Sequence, residues 1–259
     1  MAPLTEKGLS DWRVETLRLT IFPTAMPDVA GIDWWEAVVG ESPESKTLQP
    51  RVGMLQEIGQ IKGGLCNLSL ECQPQRIDWL FSPILKEKQE LTEFPTFANL
   101  VDGHKLFQAM LLPWLSRSPG ANRIAFGAVL AYPVESRKAG YELLGKYLPS
   151  VRLDPENSRD FSFQINRPRT SASGIANVQI NRLSRWSVAR LSGMVIQFTG
   201  GQPTTQVFES SKGLDACRVE LDINTSPQFE GTLPPDKIEV LVRELVDLGI
   251  EIANKGDMP

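Results

Sequence analysis

At 259 residues the chain is long enough for one large domain or two small ones, and 41% hydrophobic with 22% charged residues can bury a sizeable core, which excludes a disordered tail. A net charge of −4 lacks the basic footprint of a general nucleic-acid binder. The apolar stretches fall far short of the ~20 residues that span a bilayer, and Met1-Ala2-Pro3-Leu4-Thr5-Glu6-Lys7 has no apolar signal core, so no membrane is expected as a partner and the expected compartment is the cytoplasm.

In chain order, the first strand is expected over 14–22, where Leu17, Leu19 and Ile21 alternate at period two. A short helix follows over 33–39, with Asp33 as cap, Glu36 completing a capping-box pattern and Gly40 as stop. Glu41-Ser42-Pro43-Glu44-Ser45 reads as an exposed loop. Three strands are expected over 51–61, 64–72 and 75–81, with Gly63-Gly64 as hairpin chemistry between the first two. A polar linker, Lys86-Glu87-Lys88-Gln89-Glu90, leads to a long helix over 96–116 capped by Thr96, whose stripe includes Leu106, Met110 and Trp114.

The second half repeats this order. A strand over 123–131 ends at Pro133, and Ser136 can cap a helix to Tyr147. Phe161, Phe163 and Ile165 alternate in one strand, and Ile175, Val178 and Ile180 suggest another. Residues 186–198 suggest a long strand bulged at Gly193, Gly200-Gly201 a turn, and Cys217, Val219, Leu221 and Ile223 a last strand. The final helix starts at Pro234-Pro235-Asp236 and runs to Asn254, with Ile238, Leu241, Val242, Leu245 and Val246 as its core face.

The expected class is α+β, with two β-α-β(3–4)-α units over 1–119 and 120–259 forming an antiparallel sheet with helices on one face. Ile21-Phe22-Pro23 corresponds to Ala131-Tyr132-Pro133. Arg76-Ile77-Asp78 ahead of Ser82-Pro83 corresponds to Arg218-Val219-Glu220 ahead of Ser226-Pro227. The other face of such a sheet is left for solvent or a partner. This duplicated order resembles the saddle fold of the TATA-binding protein, a likeness that implies a shape and not a function. At Arg123-Ile124-Ala125-Phe126-Gly127, Tyr147-Leu148-Pro149 and Val219-Glu220-Leu221-Asp222-Ile223 the chain resembles a family of sporadically distributed, uncharacterised bacterial proteins of similar length. Its N-terminus departs from that family's usual opening. The resemblance implies no activity, and the patchy distribution implies a mobile-element or defence setting.

Little in the sequence points to catalysis. Cys66, Cys72 and Cys217 match neither zinc-knuckle nor disulfide spacing and read as buried small hydrophobes. His104 is the single histidine, read as a surface residue of the long helix, so a zinc site or any two-histidine mechanism is disfavoured. Neither a Gly-x-Ser-x-Gly elbow nor a phosphate-cradling Gly loop is present. No cofactor, metal ligand or catalytic residue is assigned. Asp78, Glu220 and Asp222 remain as strand carboxylates that a metal-dependent enzyme would need to bring together.

The most unusual local feature is arginine. Residues 151–190 hold seven, Arg152, Arg159, Arg167, Arg169, Arg182, Arg185 and Arg190, with no lysine and three acids, Asp154, Glu156 and Asp160. Arginine suits planar, bidentate contact to phosphate or carboxylate. The binding residues named from sequence are Arg167, Arg169, Arg182, Arg185, Trp186 and Arg190, with Trp186 as a stacking surface. The expectation is a non-enzymatic interaction protein that binds a protein partner or forms a homo-oligomer. The rivals are a nucleic-acid-binding module using the same arginines and a metal-dependent enzyme using the strand carboxylates.

Overall fold

The computed structural model describes residues 6–61, 63–85, 93–199 and 202–257, with the side chains of 6, 7, 192–199 and 202–212 left aside. The Lys86–Glu90 linker and the Gly200-Gly201 turn lie outside the described residues.

Period-two alternation drives the sheet. In β1 (Arg13–Pro23) Leu17, Leu19 and Ile21 are buried. The same holds for Cys66, Leu68, Leu70 and Cys72 in β4 (Cys66–Gln73) and for Ile77, Trp79 and Phe81 in β5 (Arg76–Ser82). Ile124, Phe126, Ala128 and Leu130 of β7 (Ala121–Val134) and Cys217, Val219, Leu221 and Ile223 of β11 (Gln202–Thr225) continue the row. With β2 (Ser45–Gln49), β3 (Met54–Ile61), β8 (Ser162–Asn166) and β10 (Gln179–Thr199), the sheet order is β2-β3-β4-β5-β1-β7-β11-β10-β8. Short β6 (Ala98–Asn99) pairs with β1, and β9 (Arg169–Thr170) with β10. All the described pairings are antiparallel. From β3 inward and from β8 inward the order reads alike, and the halves meet where β1 pairs with β7, Leu17 opposite Ala128.

Helices cover one face. These are α1 (Glu6–Asp11), α2 (Trp34–Val39), α3 (Leu100–Trp114), α4 (Arg137–Tyr147) and α5 (Ile238–Lys255). Phe107 of α3 sits edge-on to Phe126, 5.4 Å between ring centroids. Gly249 lets α5 come close to the same strand, since a Cβ there would lie 2.9 Å from the Phe126 ring. Tryptophan fills the gap between layers: Trp34, Trp35, Trp79 and Trp114 pack in the first half, Trp12 and Trp186 with Tyr147 in the second. All six tryptophans are buried, each removing roughly 150–250 Å² from water, or about 4–6 kcal/mol of gross hydrophobic stabilisation.

Several local expectations change. The loop expected at 41–45 gives way at Ser45 to edge strand β2, whose residues are all exposed; a polar edge strand carries no alternation to read. Asp33 precedes α2 but makes no capping hydrogen bond; it faces Arg117 instead, at 3.6 Å. The cap of α3 is Asn99, whose Oδ1 accepts the Asp102 N–H at 2.9 Å, rather than Thr96. Ser136 caps α4 as expected. Ile175 lies outside any strand, because β10 begins at Gln179. The register shift falls between Leu191 and Ser192 rather than at Gly193. Gly63 and Gly64 both take positive φ, 66° and 88°, which only glycine adopts cheaply at adjacent hairpin positions. Beyond Ser192, β10 pairs in the described backbone with β11 alone, so the two strands run on past the rest of the sheet.

Candidate functional site

The face of the sheet opposite the helices carries the alternate set of strand residues. Six arginines lie there, Arg13, Arg18, Arg76, Arg123, Arg185 and Arg218, with five carboxylates, Glu15, Glu71, Asp78, Glu220 and Asp222. The formal charge of the face is therefore +1. Beyond Arg123, β7 presents the small residues Ala125, Gly127, Val129 and Ala131 along the centre, between two banks of long side chains. Arg18 lies across Gly127, its Nε 3.5 Å from where a Cβ would stand.

The first bank centres on Asp78. Its Oδ1 accepts the Thr20 hydroxyl at 2.5 Å and Arg76 Nη2 at 3.1 Å. Arg76 Nε lies 2.5 Å from Oδ2 outside hydrogen-bond alignment, and Arg18 Nε is 3.8 Å away. Thr20 is only 2% exposed and Asp78 8%. The second bank centres on Arg218, which donates to Glu15 at 3.0 and 3.2 Å and to Glu220. Burial works against the Arg218 charge, but Glu15 and Glu220 outweigh it and raise its pKa. Arg185 adds a looser contact to Glu220 at 3.9 Å and donates to Ser162 at 3.3 Å. A third group links Asp222, Asn224, Asn181 and Asn166 through side-chain hydrogen bonds of 2.9–3.1 Å. Arg123 joins it, donating to Asn224 and lying over the Phe22 ring at 4.7 Å.

The carboxylates that a metal-dependent enzyme would require do not converge. Asp78 sits on β5 and Glu220 and Asp222 on β11, with β1 and β7 between them, and each is bound to its own arginine or amide neighbours. Among the described residues no group of three or more His, Cys, Asp or Glu side chains could hold a metal ion. His104 is half-buried rather than on the surface, its Nε2 without a partner; burial lowers its pKa, with Asp247 acting the other way. Burial pushes the Cys72 and Cys217 thiols up to about 12, far from the range of a reactive thiolate.

The six residues named from sequence divide among four places. Arg185 is on the open face. Arg167, Arg169 and Arg182 are on the helix side, facing Asp257 and Glu251 at the end of α5. Arg190 makes a bidentate pair with buried Asp215, 3.0 Å for each bond. Trp186 is a core residue, fully buried, stacked on Tyr147 at 5.4 Å and donating to Ser184 at 3.0 Å, so it offers no stacking surface. The reason is parity: Arg182, Trp186 and Arg190 share the even face of β10, Arg185 the odd one. Sequence reasoning missed Glu15, Arg18, Arg76, Arg123 and Arg218, although their positions between the core residues of each strand were the available signal.

No family model matches this chain, no curated protein matches it, and no solved structure matches it.

Proposed function

We propose that the chain is a non-enzymatic interaction protein whose open sheet face receives a protein partner. The observation that carries this reading is the near-neutral face itself, with arginines and carboxylates interleaved around a strip of small residues on β7. A face of that kind offers directional hydrogen bonds of both signs and close backbone approach. It lacks the positive field that phosphate backbones require, which favours a protein over nucleic acid. The pseudo-symmetric strand order and the paired Arg-x-Asp and Arg-x-Glu stretches at Arg76–Asp78 and Arg218–Glu220 support origin by duplication and a saddle-like shape. The motifs at Arg123–Gly127, Tyr147–Pro149 and Val219–Ile223 support a place in a mobile-element or defence setting.

The test is affinity capture from host lysate with three forms of the chain. Wild type is expected to retain a stoichiometric protein. The Arg18→Ala/Arg185→Ala form, altered at one half-exposed and one exposed open-face side chain, should lose it, and the helix-face control Arg243→Ala should keep it. Capture that survives the open-face changes, or a 260/280 absorbance ratio showing co-purified nucleic acid in its place, would refute the reading.

A further inference from the structure

On the helix side, independent of the open sheet face, positive charge is left over. Arg167, Arg169, Arg182 and Lys255 surround two carboxylates, Glu251 and Asp257. Asp257 is already committed: Arg167 grips it through Nε and Nη2 at 2.5 and 2.9 Å. Glu251 accepts a hydrogen bond from Lys255 at 3.0 Å. Its other oxygen stands 3.7 Å from both Arg169 Nη1 and Arg182 Nη2, beyond hydrogen-bond reach. Neither the Arg169 nor the Arg182 guanidinium therefore hydrogen-bonds Glu251. Arg182 is the unusual one, its side chain only 12% exposed and its Nε buried without a partner. Buried donors are almost always satisfied, by protein or by a bound oxygen such as water, and no protein atom serves Arg182 Nε.

The surroundings specify that acceptor. Arg182 borders a space of about 10 Å³, shared with Arg167, Ser184, Ile252 and Asp257, which is room for one oxygen atom. The Ser184 hydroxyl there accepts the Trp186 N–H, which leaves its own proton to donate. Outside, the half-exposed Arg169 guanidinium faces the same Glu251 oxygen as Arg182, so the two forks lie near one another. We infer that Arg169, Arg182 and Ser184 form a site for a tetrahedral oxyanion, free phosphate or the phosphate of a small ester. One oxygen enters the small space to take the Arg182 Nε and Ser184 donors, and the others lie against the outer guanidinium nitrogens. The excess of positive groups favours a dianion over a carboxylate, and arginine forks match its oxygens in pairs.

The experiment is a calorimetric titration of the full chain with inorganic phosphate, ionic strength held constant with chloride. Saturable one-to-one binding is expected with Kd of about 1 mM or tighter. Arg169→Gln, at a half-exposed position, should weaken it about tenfold, the effect of losing one charge-assisted fork. Arg182→Met should abolish it, and Arg243→Gln, at an exposed position elsewhere on α5, should leave it unchanged. A parallel titration with glycerol phosphate identifies the source: tighter binding than inorganic phosphate points to an ester, equal or weaker binding to the free ion. Absence of saturation by inorganic phosphate, or an Arg169→Gln form that binds as wild type does, overturns the site. Loss of partner capture by the open-face variant would bear on neither result.

Discussion

Replacing Asp78 with alanine tests whether the open face is a built network or a set of solvated charges. The carboxylate accepts the Thr20 hydroxyl at 2.5 Å, and Thr20 is 2% exposed. Its removal strands that hydroxyl, at a cost of about 1–3 kcal/mol for a buried unsatisfied donor. Arg76 and Arg18 also lose their counter-charge, but each side chain is 40% exposed and can turn to water, so they add little. The expected loss is about 2–3 kcal/mol. With a urea slope of about 2–3 kcal/mol/M, the unfolding midpoint should fall by about 1 M. Asp78→Asn keeps an oxygen for Thr20 and should lose about 1 kcal/mol. Thr20→Val in the Asp78→Ala background removes the stranded donor, so the double variant should recover about 1–2 kcal/mol relative to additivity. The measurement is equilibrium urea unfolding of wild type, Asp78→Ala, Asp78→Asn, Thr20→Val and the double variant. A midpoint shift under about 0.3 M for Asp78→Ala, or equal losses for alanine and asparagine, would refute the reasoning.

Three further outcomes are expected. Gly256 has φ of 75°, and a Cβ there would meet the Tyr147 carbonyl oxygen at 2.1 Å; Gly256→Ala should lower the thermal midpoint by several degrees, measured by circular dichroism, and release the Asp257 N–H from that oxygen. Trp186→Ala should cost about 3–5 kcal/mol in urea unfolding through the cavity it leaves beside Tyr147 and Trp12, with loss of the folded near-ultraviolet signal. Cys72 and Cys217 should resist thiol reagents in the folded state and react on unfolding. Their folded pKa values, about 12 against an ordinary 9.0, are raised, so their contribution to stability is complete below pH 9 and declines as pH rises toward 12. Unfolding free energies measured between pH 8 and 11 should fall accordingly, and full reactivity of native thiols at pH 8 would contradict the burial.

Alternation was enough to read β1, β4, β5 and the core-facing residues of β11 from the chain, because burying one face of a strand leaves a period of two in the sequence. The α5 core face was legible for the corresponding reason at helical spacing, and all five of its named residues are buried. Edge strand β2 was not, since an exposed strand has no buried face to mark it. Nor was the cap of α3, where Thr96 and Asn99 compete and the pairing of β6 with β1 decides between them.

The arginines show the same division most sharply. Their density between 151 and 190 was plain in the sequence, and so was the chemistry of the guanidinium. Which of them act together was decided by the alternation of β10 and by the arrival of α5 against its even face, contacts more than 60 residues apart in the chain. The succession of strands and helices follows from local pattern. That the two halves join as one sheet through β1 and β7, leaving a single open face of interleaved charge, is a consequence of long-range pairing that no local pattern encodes.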